Sequence, residues 1–351
     1  MQKKTSQERF KKYLKRIGSG EQTSRSMTRE ESSDALNLIL TGIPSPTQIG
    51  AFMIAHRIRR PEPQELAGMV DTYLKLGPNL QSKNSQKRPI CFGMPFDGRT
   101  RTAPIYPVTA LVLVSAGQPV VLQGGRRMPI KYGVTSSELL ADINLNLIDL
   151  TINQVQKCLC ENDIGFIYQP KHFPLAENLI YYREEIGKRP TIASMELLWT
   201  AHQSKHLFVT GFVHSPTEER HWQTLELLGE KEIITVKGLE GGTDIPSSKL
   251  CIANKLDNNR VKRIELSPKD FNLYGKDQRF TSREEWGQWA IAAINYQGPL
   301  LNAVVWNAGF YLWVSGITET LENGIEKADR LLKSGKVQNT LNKIIKWKAN
   351  L

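Results

Sequence analysis

The chain has 351 residues, 40% of them hydrophobic, and a formal net charge of +11. That length allows two subdomains with sizeable cores, and no apolar run approaches the ~20 residues of a membrane-spanning helix, so neither a transmembrane span nor a membrane partner is expected. The polar start Met1-Gln2-Lys3-Lys4 lacks the apolar stretch of a secretory signal, and Cys91, Cys158, Cys160 and Cys251 match no usual zinc spacing. Buried thiols in a reducing cytoplasm are therefore expected.

The positive excess is partly terminal, with Arg9, Lys11, Lys12 and Lys15 at one end and Lys336, Lys343, Lys346 and Lys348 at the other. Such an excess either attracts polyanions or coats a soluble surface. Residues 1–27 read as a basic, partly helical tail. Thr28 with Glu31 forms a capping-box pattern that opens a helix through residue 40. Ser45-Pro46 starts a second helix over 47–58, and residues 61–76 make a third, with Leu66, Met69, Val70 and Tyr73 at helical spacing. Residues 28–77 thus form an all-helical domain, and residues 77–88 a linker. Ile49, Phe52, Met53 and Ile54 offer an apolar face through which this domain could form a homodimer.

From residue 89 to 351 the pattern alternates. Apolar strands are expected at 89–92, 119–123, 164–168, 207–210 and 233–237, with helices between them, an antiparallel excursion over 250–273 and closing helices at 286–295, 300–314 and 318–333. The fold class is α/β, with a small N-terminal all-helical domain and a large domain built on a central, mostly parallel sheet flanked by helices. His202 and His206 lie four apart without a third metal ligand nearby, and Trp286, Trp289, Trp306, Trp313 and Trp347 are spaced for helix packing.

The turn Gly93-Met94-Pro95-Phe96-Asp97-Gly98 lies between the first strand and the helix expected from residue 108. A glycine-rich turn there would gather backbone N–H groups on an anion. Pro95 has no N–H, Phe96 is bulky, and Pro104 and Pro107 remove donors from the helix start.

Ser45-Pro46-Thr47-Gln48-Ile49-Gly50, the run from Ile164-Gly165-Phe166 to His172-Phe173-Pro174, and the ending Leu332-Lys333-Ser334-Gly335-Lys336 resemble the anthranilate phosphoribosyltransferase family over nearly the whole chain. The resemblance implies a pyrophosphate cradle, magnesium and an aromatic-amine pocket. The family's Gly-Thr-Gly-Gly-Asp-Gly loop corresponds to Gly93 through Gly98, so Gly93, Asp97 and Gly98 are retained. Its Lys-His-Gly-Asn-Arg element corresponds to Leu122-Gln123-Gly124-Gly125-Arg126, keeping Gly124 and Arg126. Its magnesium acids correspond to Thr243-Asp244, which leaves Asp244 as the metal candidate. Arg183 matches the acceptor-binding arginine; Phe173 stands for a histidine, and Met195-Glu196 lies where a Gly-Pro turn is expected.

A second branch of the family, the YbiB type, is associated with nucleic-acid binding and is similar at Pro95 to Arg101, Pro119 to Gly124 and Gly187-Lys188-Arg189. Arg99, Arg101, Arg126 and Arg127 are expected at the mouth between the domains. There they either form a basic cleft or pair with acids such as Asp97 and Glu138; Asp97 itself is either a remnant of the phosphate site or a turn residue. The resulting expectation is a divergent, non-synthase protein that binds nucleic acid or a phosphorylated small molecule and needs no certain cofactor. The alternative is a phosphoribosyltransferase that tolerates the altered loop and uses Mg2+.

Overall fold

The computed structural model describes residues 2–82, 88–257 and 260–351. Lys83, Asn84 and Ser85 of the expected linker lie outside the described residues. Helices α1 (Gln2–Gly18), α2 (Arg29–Leu40), α3 (Pro46–Arg59) and α4 (Pro63–Leu76) form the N-terminal domain. Thr28 and Ser45 close reciprocal capping boxes with Glu31 and Gln48, so both predicted starts rest on satisfied orphan donors. The segment set apart as a tail is instead the first helix of this bundle. Phe10 and Ile17, seven residues apart, are buried, and the Phe10 ring meets Phe52 at 5.3 Å. Ile49, Phe52 and Met53 are likewise buried within the one chain, so the apolar face assigned to dimerisation is used internally.

Glu65 ties the domain together. Its fully buried carboxylate accepts from the Met27 N–H at 3.0 Å and the Glu62 N–H at 2.8 Å, pairs with Arg59, and lies 3.4 Å from His56 Nε2. Burial alone would raise this carboxyl, but His56, the Glu62 N–H and Arg59 outweigh it and hold it at about 2. The folded value lies below the ordinary one, so its stabilisation is complete above pH ~5 and is lost as pH falls toward 2. The thermal midpoint should hold from pH 7 to 5 and then drop, and Glu65→Gln should begin lower and lose most of that acid dependence. A variant with the wild-type acid profile would exclude Glu65 as the source.

The second domain begins with β1 (Ile90–Gly93), α5 (Tyr106–Ser115), β2 (Val120–Gly124), α6 (Ser136–Asp142), α7 (Ile152–Asn162) and β3 (Ile164–Tyr168). Four short helices follow, α8 (Gln169–His172), α9 (Pro174–Glu177), α10 (Ile180–Ile186) and α11 (Ile192–Met195). The chain returns through β4 (Leu207–Gly211), α12 (Ser215–Leu227), β5 (Ile233–Val236) and the hairpin β6 (Cys251–Asp257) and β7 (Arg260–Leu266). It closes with α13 (Arg283–Ile294), α14 (Leu301–Val314), α15 (Leu321–Lys333) and α16 (Lys336–Ala349). Helix α5 starts two residues before the expected point, with Pro107 accommodated in its first turn, where a missing N–H costs nothing. Trp286 and Trp306 are core residues, and the Trp286 indole donates to the Pro104 carbonyl at 2.8 Å.

The sheet order is β3-β2-β1-β4-β5-β6-β7, parallel through the first five positions and antiparallel at the hairpin. The parallel strands are almost wholly buried because helices cover both faces. Chain order reverses between β1 and β4, and ligands of open α/β sheets favour the carboxyl ends of the strands at such a point. Gly93 and Gly211 end these two strands where backbones press together. A Cβ on Gly93 would stand 2.1 Å from the Leu197 carbonyl oxygen, and one on Gly211 2.1 Å from that of Gly242. Among the described residues no helix is long and apolar enough to cross a membrane.

Candidate functional site

The loop leaving β1 is packed against protein and does not stand open. Met94, Phe96 and Asp97 are buried, and Gly98 takes φ 75°. A side chain at Gly98 would meet the Gly133 and Val134 carbonyl oxygens at 2.5 Å, so this residue needs both positive φ and the absence of a Cβ. Gly98→Ala should therefore cost about 1–3 kcal/mol, read from denaturant unfolding; an unchanged midpoint would refute the tight approach. Arg99 and Val134 then exchange backbone hydrogen bonds of 3.2 and 2.8 Å.

Arg99 turns inward. The residue is 2% exposed; its guanidinium binds Asp244 through Nη1 and Thr102 through Nη2, and the same Asp244 oxygen accepts from the Ile105 N–H at 2.8 Å. Burial pushes the Asp244 carboxyl up, against the pull of Arg99. Beside it, Glu240 accepts from the backbone of Thr102 at 2.8 Å and Arg101 at 3.1 Å. Burial opposes its ionisation, yet those hydrogen bonds and Arg99 hold it at about 2. Arg101 projects outward, 77% exposed, with Nε 3.5 Å from Glu240.

The other arginines named from the sequence are also held by acids. Arg126 pairs with Glu177, and Arg127 Nε donates to Glu138 at 2.8 Å. Asp97 is not an open turn carboxylate; its oxygens face Arg189 Nε at 3.3 Å and Lys131 Nζ at 3.5 Å without aligned hydrogen bonds. Gly124 sits under Ser136, whose Oγ would be 3.2 Å from an added Cβ and accepts from the Tyr106 hydroxyl at 2.9 Å. Arg99, Arg101, Arg126 and Arg127 thus each face an acid, the alternative to an open basic cleft.

Arg183, on α10, is fully buried. It binds both carboxylate oxygens of Glu196, Nη1 at 3.2 Å and Nη2 closer still, and its Nη1 also contacts the Met128 sulfur at 3.2 Å. Burial pushes the Glu196 carboxyl up while Arg183 pulls it back. Nearby, Phe173 packs edge-on to Tyr73 at 4.8 Å and against Trp199 at 6.1 Å. Sequence reasoning named Glu196 only as part of a replaced turn and did not pair it with Arg183, although a buried arginine requires a counter-charge and the acid stands thirteen positions away.

These groups do not suit magnesium. A hard divalent cation needs several oxygen ligands. The one carboxylate at the implied position, Asp244, is already engaged by a guanidinium and a backbone N–H, and the Thr243 carbonyl accepts from the Tyr311 hydroxyl. The histidine pair gains the third group that its spacing lacked: Cys91, His202 and His206 each place a ligand atom within 4.8 Å of the others. Burial pushes the Cys91 thiol up, however, and His206 Nε2 faces Glu230 at 3.2 Å.

A basic wall does exist, and of its arginines only Arg189 was named in the sequence analysis. A cavity of 770 Å³ lies between the two domains, lined by Arg57, Ile58 and Arg60 at the end of α3, Arg189 and Thr191 before α11, and Arg220 and His221 on α12. No aspartate or glutamate contributes to its lining.

Profiles of the glycosyl transferase family match both domains, the helical bundle domain over residues 11–77 and the a/b domain over residues 98–338. The chain belongs to this family. It is 24% identical over 325 residues to the anthranilate phosphoribosyltransferase of Polynucleobacter asymbioticus, covering 92% of this chain and 94% of that one. The Burkholderia cenocepacia enzyme of the same name is 23% identical over 327 residues, with 92% and 94% covered. Among solved structures, anthranilate phosphoribosyltransferase from Thermus thermophilus superposes with a TM-score of 0.78 at 19% identity, covering 96% of this chain and 98% of that one. The Saccharomyces cerevisiae enzyme in complex with PRPP and Mg gives 0.81 at 14% identity, covering 97% and 98%. The glycosyl transferase fold accounts for the helical bundle set over the switch point of the sheet.

Proposed function

We propose that this chain is a divergent member of the anthranilate phosphoribosyltransferase family that does not make phosphoribosyl anthranilate and binds a polyanion, nucleic acid, in its place. The observation that carries the reading is Glu196 on Arg183: the arginine matched to acceptor binding already holds a carboxylate from its own chain. Arg99 on Asp244 repeats the logic at the implied metal position, where a guanidinium stands in place of a metal ion. An incoming acceptor or metal would have to displace a buried partner at each place, leaving charges without compensation. The polyanion half is supported by the net charge of +11, the acid-free interdomain cavity and the resemblance to the YbiB-type branch.

The test titrates the protein with single-stranded DNA and with phosphoribosyl pyrophosphate plus magnesium at one salt concentration. DNA should bind, and its affinity should fall with salt by ~0.7 in log–log slope per phosphate contact; the pyrophosphate should show no magnesium-dependent binding. The opposite pattern would return the chain to the second reading, a transferase with an altered loop. That reading draws on alignment with enzymes of that name over 92% of the chain. The proposed homodimer is checked by the mass in solution.

A further inference from the structure

We propose that the cavity between α3 and α12 is a phosphate-binding subsite, one that takes the phosphate group of a nucleotide or of a nucleic-acid strand; it deepens the polyanion reading and rests on it only for the longer ligand. Arg57, Arg60, Arg189 and Arg220 reach the cavity from three separate segments, and no carboxylate lines it. Arg189 faces Asp97, but the other three guanidiniums around the void repel one another unless an anion or water compensates them. The contrast with the rest of the cleft is specific: Arg99, Arg126, Arg127 and Arg183 are each held by an acid. Among the described residues, Arg57, Arg60 and Arg220 have no such partner. Arg57 instead donates to the Arg189 carbonyl at 2.5 Å, which fixes one wall to the other.

A second, independent observation lies in the polar atoms that end at this wall. His221 is 1% exposed and Thr191 6% exposed, and His221 Nδ1 and Thr191 Oγ1 have no hydrogen-bond partner. Buried polar atoms are nearly always paired, so such atoms beside a cavity point to an absent ligand or water. Burial, with Arg220 and Arg189 adding to it, holds His221 down at about 3. It is therefore neutral near pH 7 and able to donate from Nδ1 to a phosphate oxygen, while the arginines supply the charge. The start of α12 adds its positive end, but Pro216 withholds one N–H, so guanidiniums dominate.

The volume exceeds what a bare phosphate fills, and Ile58, 76% exposed, with Pro61 and Pro190 gives the rim an apolar part. That combination suits a phosphate carried on a sugar and base. Arg189 also faces Asp97, which connects an occupant of the cavity to the loop after β1.

The experiment compares wild type with R60A/R220A, a pair outside every ion pair among the described residues, with Arg330→Ala on α15 as a surface control for loss of one positive charge. Calorimetric titrations at one salt concentration use inorganic phosphate, adenosine 5′-monophosphate and a short oligothymidylate, with unfolding midpoints to verify folding. Wild type and Arg330→Ala should bind phosphate and the nucleotide at one site, and the double variant should bind at least ~10-fold more weakly, as expected for lost charge-assisted hydrogen bonds. Absence of saturable phosphate binding by wild type, or equal binding by the folded double variant, overturns the subsite. Oligothymidylate bound equally by both overturns the subsite's role toward a nucleic-acid strand and leaves the polyanion reading standing. Phosphate and nucleotide bound through these arginines, with no oligothymidylate binding, sustains the subsite for small ligands and removes nucleic acid.

Discussion

Glu196→Ala should lower the unfolding free energy by about 3–5 kcal/mol, because it leaves the Arg183 guanidinium buried without a counter-charge. Arg183 is 1% exposed, and its other polar contact is the Met128 sulfur, a weak acceptor. Urea unfolding measures the loss directly. The double variant Arg183→Met with Glu196→Leu should recover most of it, since replacing both members by apolar groups of similar volume is often neutral or stabilising. The functional reading adds a sharper outcome. If Glu196 occupies a carboxylate position, acetate, close in size to the lost group, should raise the melting point of Glu196→Ala and leave wild type unchanged, as a ligand of the folded state must. A variant as stable as wild type, or one indifferent to acetate, would deny that the pair is an internal substitute for a bound carboxylate.

The parts of this fold that were legible are those set by local chemistry. Thr28 and Ser45 announce their helices by capping, and the parallel strands announce themselves as short apolar runs bounded by polar turns. Helix α1 was read as partly helical but set apart as a tail, because its lysines obscure Phe10 and Ile17, whose seven-residue interval marks one buried face. Helix α16 was overlooked although Val337, Leu341 and Ile344 follow the same rule. At the site, the altered loop was visible, but the destination of its arginine was not. Arg99 meets Asp244 across 145 positions, and nothing local to either residue encodes that encounter. The cavity was hidden for the same reason: Arg57, Arg189 and Arg220 become neighbours only when α3 is laid over α12. Glu138 was named as a possible partner and does hold Arg127, but Glu177, which α9 brings to Arg126 from 51 positions away, was not.

With anthranilate, phosphoribosyl pyrophosphate and magnesium supplied together, turnover should fall below ~10⁻² s⁻¹, against ~10 s⁻¹ for a median enzyme. Expelling pyrophosphate requires donors and cations placed where its charge develops, and removing one such donor costs ~10²–10³ in rate. Here Pro95 supplies no N–H, Pro104 and Pro107 border the start of α5, and Leu122 stands where the resemblance implies a lysine. Asp244 is already bound to Arg99, and Arg183 to Glu196. These losses fall on the leaving group, the metal and the acceptor at once, so repairing one of them should not restore the rate. Glu196→Gly, which frees Arg183, should accordingly remain as inactive as wild type in a product assay by fluorescence. A wild-type turnover near ~1 s⁻¹ would mean that the loop reorganises around pyrophosphate and that Arg99 releases Asp244 to a metal, and the non-synthase reading would then be wrong.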